Sequence, residues 1–125
     1  MITYQSRIPD ALRNRLLACQ TEDNWDDEGA TGISVEACQA AIRFLEEVLS
    51  CDASIPLPRV SSSIYGEVSL YWFNQGNHLI VRPSIDPDRI YYRNETIDCP
   101  SVSGLVTQKQ AIERILNLYS ADHVQ

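Results

Sequence analysis

Four carboxylates fall within six residues of this chain: Asp23, Asp26, Asp27 and Glu28. Carboxylate oxygens are the hard ligands that calcium and magnesium take. Their order, however, is not the Asp-x-Asp-x-Asp-Gly of an EF-hand, in which alternate positions point inward and a distant Glu closes the site. The spacing therefore predicts a solvated acidic loop and no metal site. Hydrolytic acid–base work needs two carboxyls in differently polarised surroundings, and neighbours on one loop give no sign of that.

Other reactive residues are equally sparse. Ser61, Ser62 and Ser63 form a run, but no Gly-x-Ser-x-Gly elbow surrounds them. The two histidines, His78 and His123, are far apart; His78 reads as a surface or cross-strand residue beside a turn, and His123 as part of a frayed end. Cys19, Cys38, Cys51 and Cys99 make no Cys-x-x-Cys pair, so neither a zinc site nor a redox pair emerges. Cys19 and Cys38 read as small core residues. No glycine-rich phosphate loop is present; Gly66 and Gly76 read as turn glycines. No catalytic residue and no cofactor is expected.

Charge is more informative than reactivity. Residues 22–30 hold five of the 17 acids (Glu22 joins the four above), one of the two tryptophans and no base. Removing those acids leaves 12 against 10 bases, so most of the net charge of −7 is local to this segment. An acidic balance argues against direct nucleic-acid binding, which rests on excess Lys and Arg. It suits a chain that presents carboxylates to a basic partner. Nine of the ten bases are arginine, a bias that suits bidentate and stacked contacts or reflects genome base composition.

Such a segment needs fixing. Trp25 reads as an indole plugging a core gap, with Asn24 or Asp26 bonding free backbone N–H groups. The other reading has the indole touch a ligand.

The elements that hold this loop follow from periodicity. A first helix is predicted over residues 9–19, with Leu12, Leu16, Leu17 and Cys19 as its stripe and Arg13 and Arg15 outside. Ser34 caps a second helix ending near residues 50–52, with Glu36 in its first turn. Val35, Cys38, Ile42, Leu45 and Leu49 recur at helical spacing, widened by Phe44 and Val48. A proline-bearing link, 55–58, leads to strands at 60–64, 67–73, 78–82 and 89–93. In the hairpin around Asn74-Gln75-Gly76-Asn77, Trp72 opposes Leu79 and Leu70 opposes Val81 on a core face. Pairing Val81 with Ile90 and Leu79 with Tyr92 extends that face. Residues 94–104 read as loop with room for a short edge strand. Thr107-x-x-Gln110 is a capping box for a last helix whose buried stripe is Ile112, Ile115, Leu116 and Tyr119. The expectation is a single α+β domain over 1–125: two N-terminal helices, an antiparallel meander of three to four strands, and a C-terminal helix packed on the sheet.

The same register gives the sheet a second face bearing Tyr71, Phe73, Ile80, Arg82, Arg89, Tyr91 and Arg93. Tyrosine and arginine are enriched where binding energy concentrates. A covering helix or a homodimer would equally explain it. Stacking of single-stranded bases there is conceivable, but the net charge opposes it.

Asn24-Trp25-Asp26, Gly29-Ala30, then Ile33-Ser34 and Glu36-Ala37 opening a helix, resemble small uncharacterised bacterial proteins in which an Asn-Trp-Asp-x-x-Gly-Ala stretch precedes a helix, a proline-containing link and a β-meander. Pro56 to Val60 and the run from Gly66 to Trp72 match the later half, so the likeness covers residues 20–93. It implies a bacterial source and the helix-then-meander order. It carries no activity and no site residues.

The functional expectation is a non-enzymatic cytoplasmic interaction module: an acidic inhibitor, antitoxin-like neutraliser or accessory subunit of a nucleic-acid-handling system. Its contacts would come from Glu22, Asp23, Trp25, Asp26, Asp27, Glu28, Tyr71, Arg82, Tyr91 and Arg93, and its partner would be a protein with a basic nucleic-acid-binding groove. The alternative is a small enzyme or ligand-binding domain with a pocket near Trp25, Asp26 and Asp27. No apolar h-region opens the sequence and no run is long enough for a bilayer, so a cytoplasmic chain without membrane contact is expected.

Overall fold

A computed structural model describes residues 7–120. Three helices and five strands follow in the order α1 (Asp10–Leu17), α2 (Val35–Cys51), β1 (Arg59–Ser62), β2 (Val68–Asn74), β3 (Asn77–Arg82), β4 (Ile90–Thr96), β5 (Val102–Val106) and α3 (Gln108–Ser120). The strands form one antiparallel meander, each paired to the next in chain order. The fold is α+β, with five strands where three to four were expected. The stretch 94–104, read as loop with room for a short edge strand, supplies the end of β4 and the first three residues of β5.

α2 forms because its sequence agrees with a helix at every level. The Ser34 hydroxyl accepts from the Ala37 N–H at 3.1 Å, satisfying one orphan donor of the first turn. Cys38, Ala41, Phe44, Leu45 and Val48 are essentially sealed from solvent. Val35 and Leu17, both expected on buried stripes, are exposed instead; each is the terminal residue of its helix. Arg13 does not simply face water. Its guanidinium meets Glu46 at 2.6 Å and ties α1 to α2. α3 begins with the reciprocal capping box: Gln110 N–H to Thr107 Oγ1 at 3.2 Å, and Thr107 N–H to Gln110 Oε1 at 3.0 Å.

Alternation sorts the sheet into two faces. Val68, Leu70, Trp72, Leu79, Val81, Ile90 and Tyr92 join the helices' apolar residues in one core. Trp72 is 1% exposed and its indole N–H donates to the Pro56 carbonyl at 2.9 Å, so a large ring is buried with no orphaned donor. α3 meets β2, β3 and β4, and its end is tied to β2 by Asn74 Nδ2 donating to the Leu118 carbonyl at 2.9 Å.

The β2–β3 register is the expected one, Leu70 opposite Val81 and Trp72 opposite Leu79. Gln75 and Gly76 both have positive φ, as a two-residue primed turn requires. The β3–β4 register differs by two residues: Val81 faces Tyr92 and Leu79 faces Asn94. Ser84 and Asp86 side chains accept backbone N–H groups two residues on, and Arg89 N–H bonds Asp86 O. These nested turns take in Arg89, which the tighter register puts in a strand. An even shift leaves each side chain on its expected face. Arg89 belongs to the connection and not to a strand.

Candidate protein-interaction surface

The acidic loop is folded by its own polar side chains. Asp26 Oδ1 accepts from the Glu28 and Ala30 N–H groups at 2.9 and 3.0 Å. Asn24 Oδ1 accepts from Gly29 N–H at 2.7 Å, and Asp23 Oδ1 from Gly32 N–H at 2.8 Å. Thr21 and Ile33 exchange both backbone bonds at 3.0 Å, closing the loop at its base. Asn24 and Asp27 take positive φ, which Asn and Asp tolerate best among side chains with a Cβ. The backbone N–H bonds hold the Asp26 carboxyl below its ordinary range.

Two consequences follow for the expected site. Asp23 and Asp26 use an oxygen each to shape the loop, while the Glu22, Asp27 and Glu28 carboxylates have no hydrogen-bond or ion-pair partner among the described residues. Trp25 does not plug the core: it is 41% exposed, on the outside of a loop that polar bonds already fix. Among the described residues no three His, Cys, Asp or Glu side chains converge as a metal site would need.

The loop is also tied to the sheet. Thr31 N–H donates to the Ile64 carbonyl at 2.9 Å, and Thr31 forms a parallel bridge with Tyr65 in the β1–β2 connection. Ser63 shapes that connection, its hydroxyl donating to the Glu67 carbonyl and accepting from the Tyr65 N–H. Ser62 Oγ donates to the Cys19 carbonyl at 3.1 Å. Two members of the serine run thus do structural work. Gly66, with φ of +87°, lets the chain reverse against the Thr31 side chain.

Tyr65 then reaches the second face of the sheet. The Arg82 guanidinium carbon lies 4.5 Å from the Tyr65 ring centre and 3.8 Å from that of Tyr91, a cation held between two π faces. Glu67 stands 3.9 Å from Arg82 Nε, too far for a strong bond, and Nε has no hydrogen-bond partner among the described residues. Burial pushes the Glu67 carboxyl above its usual range, against the weaker pull of Arg82. Arg82 is thus positioned by rings, with its Nε buried and without a hydrogen-bond acceptor among the described residues.

Tyr71 lies one row away on the same face. Its hydroxyl bonds His78 Nδ1, and Phe73 meets the same imidazole edge-on at 4.7 Å. His78 is a cross-strand residue, opposite Phe73; His123 lies outside the described residues. Arg93 is half-exposed and pairs with Glu95 at 2.7 Å, a contact water weakens. The face is therefore continuous from the acidic loop through Tyr65, Arg82 and Tyr91 to Leu105, which opposes Tyr91 and is largely exposed.

Sequence reasoning missed Tyr65 and Glu67. Only the outward register of Arg82, with a tyrosine in the β1–β2 connection, hinted at the stack. The pocket expected near Trp25, Asp26 and Asp27 has its counterpart elsewhere. A cleft of about 400 Å³ is lined by Pro56, Leu57, Arg59, Tyr71, Phe73 and His78, where β1 begins beside the last residues of β2. All four cysteines are free; burial raises the Cys19 and Cys38 thiols, keeping them from the reactive thiolate. No helix among the described residues is long and apolar enough to cross a membrane.

Set against known proteins, the chain matches no family model, no curated protein and no solved structure.

Proposed function

We propose that this chain is a non-enzymatic interaction module that binds a basic surface of another protein, such as a nucleic-acid-binding groove. It acts there as an inhibitor, antitoxin-like neutraliser or accessory subunit. The observation that carries the reading is the Thr31–Tyr65 bridge, which makes the acidic loop and the Tyr/Arg face parts of one surface. A fixed loop holds Glu22, Asp27 and Glu28 in place, so little ordering entropy is lost when they meet cations. Beside them Trp25 and the Tyr65–Arg82–Tyr91 stack offer the residue types that dominate binding energy. The helices α1, α2 and α3 are taken as one layer behind the sheet, leaving this face open. The likeness to the Asn-Trp-Asp group, a bacterial source and a cytoplasmic location belong to the same proposal.

Affinity capture from the native host tests it, using the tagged chain beside a Glu22→Gln, Asp27→Asn, Glu28→Gln variant. That variant spares the loop-folding groups. A stoichiometric protein retained by the parent chain and lost by the variant supports the reading; equal retention counts against it.

A second reading, a ligand-binding domain, draws on the aromatic cleft beside β2. Small-molecule binding abolished by Arg59→Ala and unaffected by the loop variant would favour it.

A further inference from the structure

The two edges of the sheet are treated differently by the sequence. Beyond β1 the edge is guarded: Pro56 and Pro58 precede it, Arg59 opens it, Ser62 bonds the Cys19 carbonyl and Thr31 bonds the Ile64 carbonyl. β5 has less protection: Pro100 precedes it, but among the described residues no side chain or segment bonds its outer edge. From Pro100 to Thr107 the chain carries no charge, and Val102–Val106 contains no proline. Val102 is 55% and Leu105 56% exposed, and β4 is the strand's partner on one side only. Natural edge strands are normally blunted by charge, proline, bulges or a covering element, since their free N–H and C=O groups template pairing.

We infer that β5 pairs antiparallel with β5 of a second copy, joining two sheets into one of ten strands. The strand is self-complementary. A two-fold axis at Gly104 sets Val102 against the second copy's Val106, and Ser103 against its Leu105, so no charge meets a like charge. The long-range electrostatics also favour this edge. The acidic loops sit at the β1 ends, and nine strand spacings of about 4.8 Å would hold them about 40 Å apart. That is several Debye lengths at physiological salt, where the screening distance is about 8 Å. Pairing through the β1 edge would instead bring the two acidic loops together. The dimer leaves Trp25 and Tyr65 uncovered; of the face described above only Leu105 lies at the seam.

A strand pair of this length buries less than the about 1,200 Å² of specific stable interfaces, so a dissociation constant on the order of tens of micromolar is expected. Sedimentation velocity from about 10 µM to about 1 mM brackets that value. Hydrogen exchange of the β5 amides, followed over the same range, locates the contact. The expected result is a concentration-dependent dimer in which the β5 amides pointing away from β4 gain protection. Val102→Lys and Leu105→Lys, each at an exposed position and each checked for an unchanged fold by circular dichroism, should stay monomeric throughout. A parent chain monomeric at about 1 mM would overturn the inference, as would a dimer whose outward β5 amides gain nothing or which survives both lysines. Protection of those amides only when a host protein is added would assign the edge to a foreign strand, and would equally overturn it.

Discussion

Thr31 and Tyr65, 34 positions apart in sequence, form a parallel bridge that fastens the acidic loop to the turn whose tyrosine ring covers Arg82. With the Thr31 N–H bond to the Ile64 carbonyl and the Ser62 bond to the Cys19 carbonyl, this contact joins a charged loop to an aromatic sheet face. Loop geometry, charge presentation and the Arg82 stack should therefore respond together to perturbation.

Gly32 is the point at which that frame is tightest. A Cβ there would lie 2.8 Å from Asp23 N, Glu22 C and Thr21 O, all backbone atoms that cannot swing aside. Gly32→Ala should lower stability by about 2 kcal/mol, the usual scale of overpacking. Thermal unfolding should show a fall of several degrees, while Gly29→Ala, with open space around it, suffers only its backbone strain.

The two tryptophans should report separately. Trp25 is partly exposed and Trp72 lies in the core. Acrylamide should quench one fluorescence component of the native protein readily and the other hardly at all. Trp25→Phe should remove the quenchable, red-shifted component without changing the unfolding midpoint. Loss of the shielded component instead would exchange the two environments.

Asp26 and Glu67 make opposite contributions to pH dependence. Backbone bonds depress Asp26 in the folded state. Its contribution is present above the ordinary carboxylate pKa of about 4 and is lost as pH falls through the lower folded value. Asp26→Ala should therefore destabilise at neutral pH, with the difference from the parent closing in acid. Glu67 is raised by burial, so the native state binds its proton more tightly than the unfolded chain does. Ionising it costs stability as pH rises through the folded value, and the penalty is absent below the unfolded one. Glu67→Gln should raise the midpoint at pH 7, and the advantage should vanish below about pH 4. Denaturant melts across that range check both signs.

The pattern of what could be read in advance has physical reasons. α2 and the β2–β3 hairpin were legible because local signals agreed: the Ser34 cap, a 3.6-residue stripe, and Gln75-Gly76 between alternating strands. β5 was not, because Val102 and Leu105 leave their apolar side chains in solvent and blur the alternation. The β3–β4 register escaped because it is set by the side-chain turns of Ser84 and Asp86, not by hydrophobic spacing. For the candidate site, density of charge pointed to the loop and residue type to the sheet face. Burial of Trp25 was the wrong inference, since tryptophan's preference for the core yields where polar bonds alone fix a loop. The join between the two halves is a non-local bridge, which no window of sequence displays.

The claim that the loop and the sheet face are one binding surface is best tested by calorimetry on the captured partner. Four chains would be titrated: parent, Trp25→Ala, Tyr91→Ala and the double variant, each shown folded. A shared surface predicts that each single change weakens binding by at least about 10-fold, or 1.4 kcal/mol, and that raising salt weakens the parent's binding. If either single variant binds as the parent does, the two regions do not act as one surface, and the central claim is contradicted.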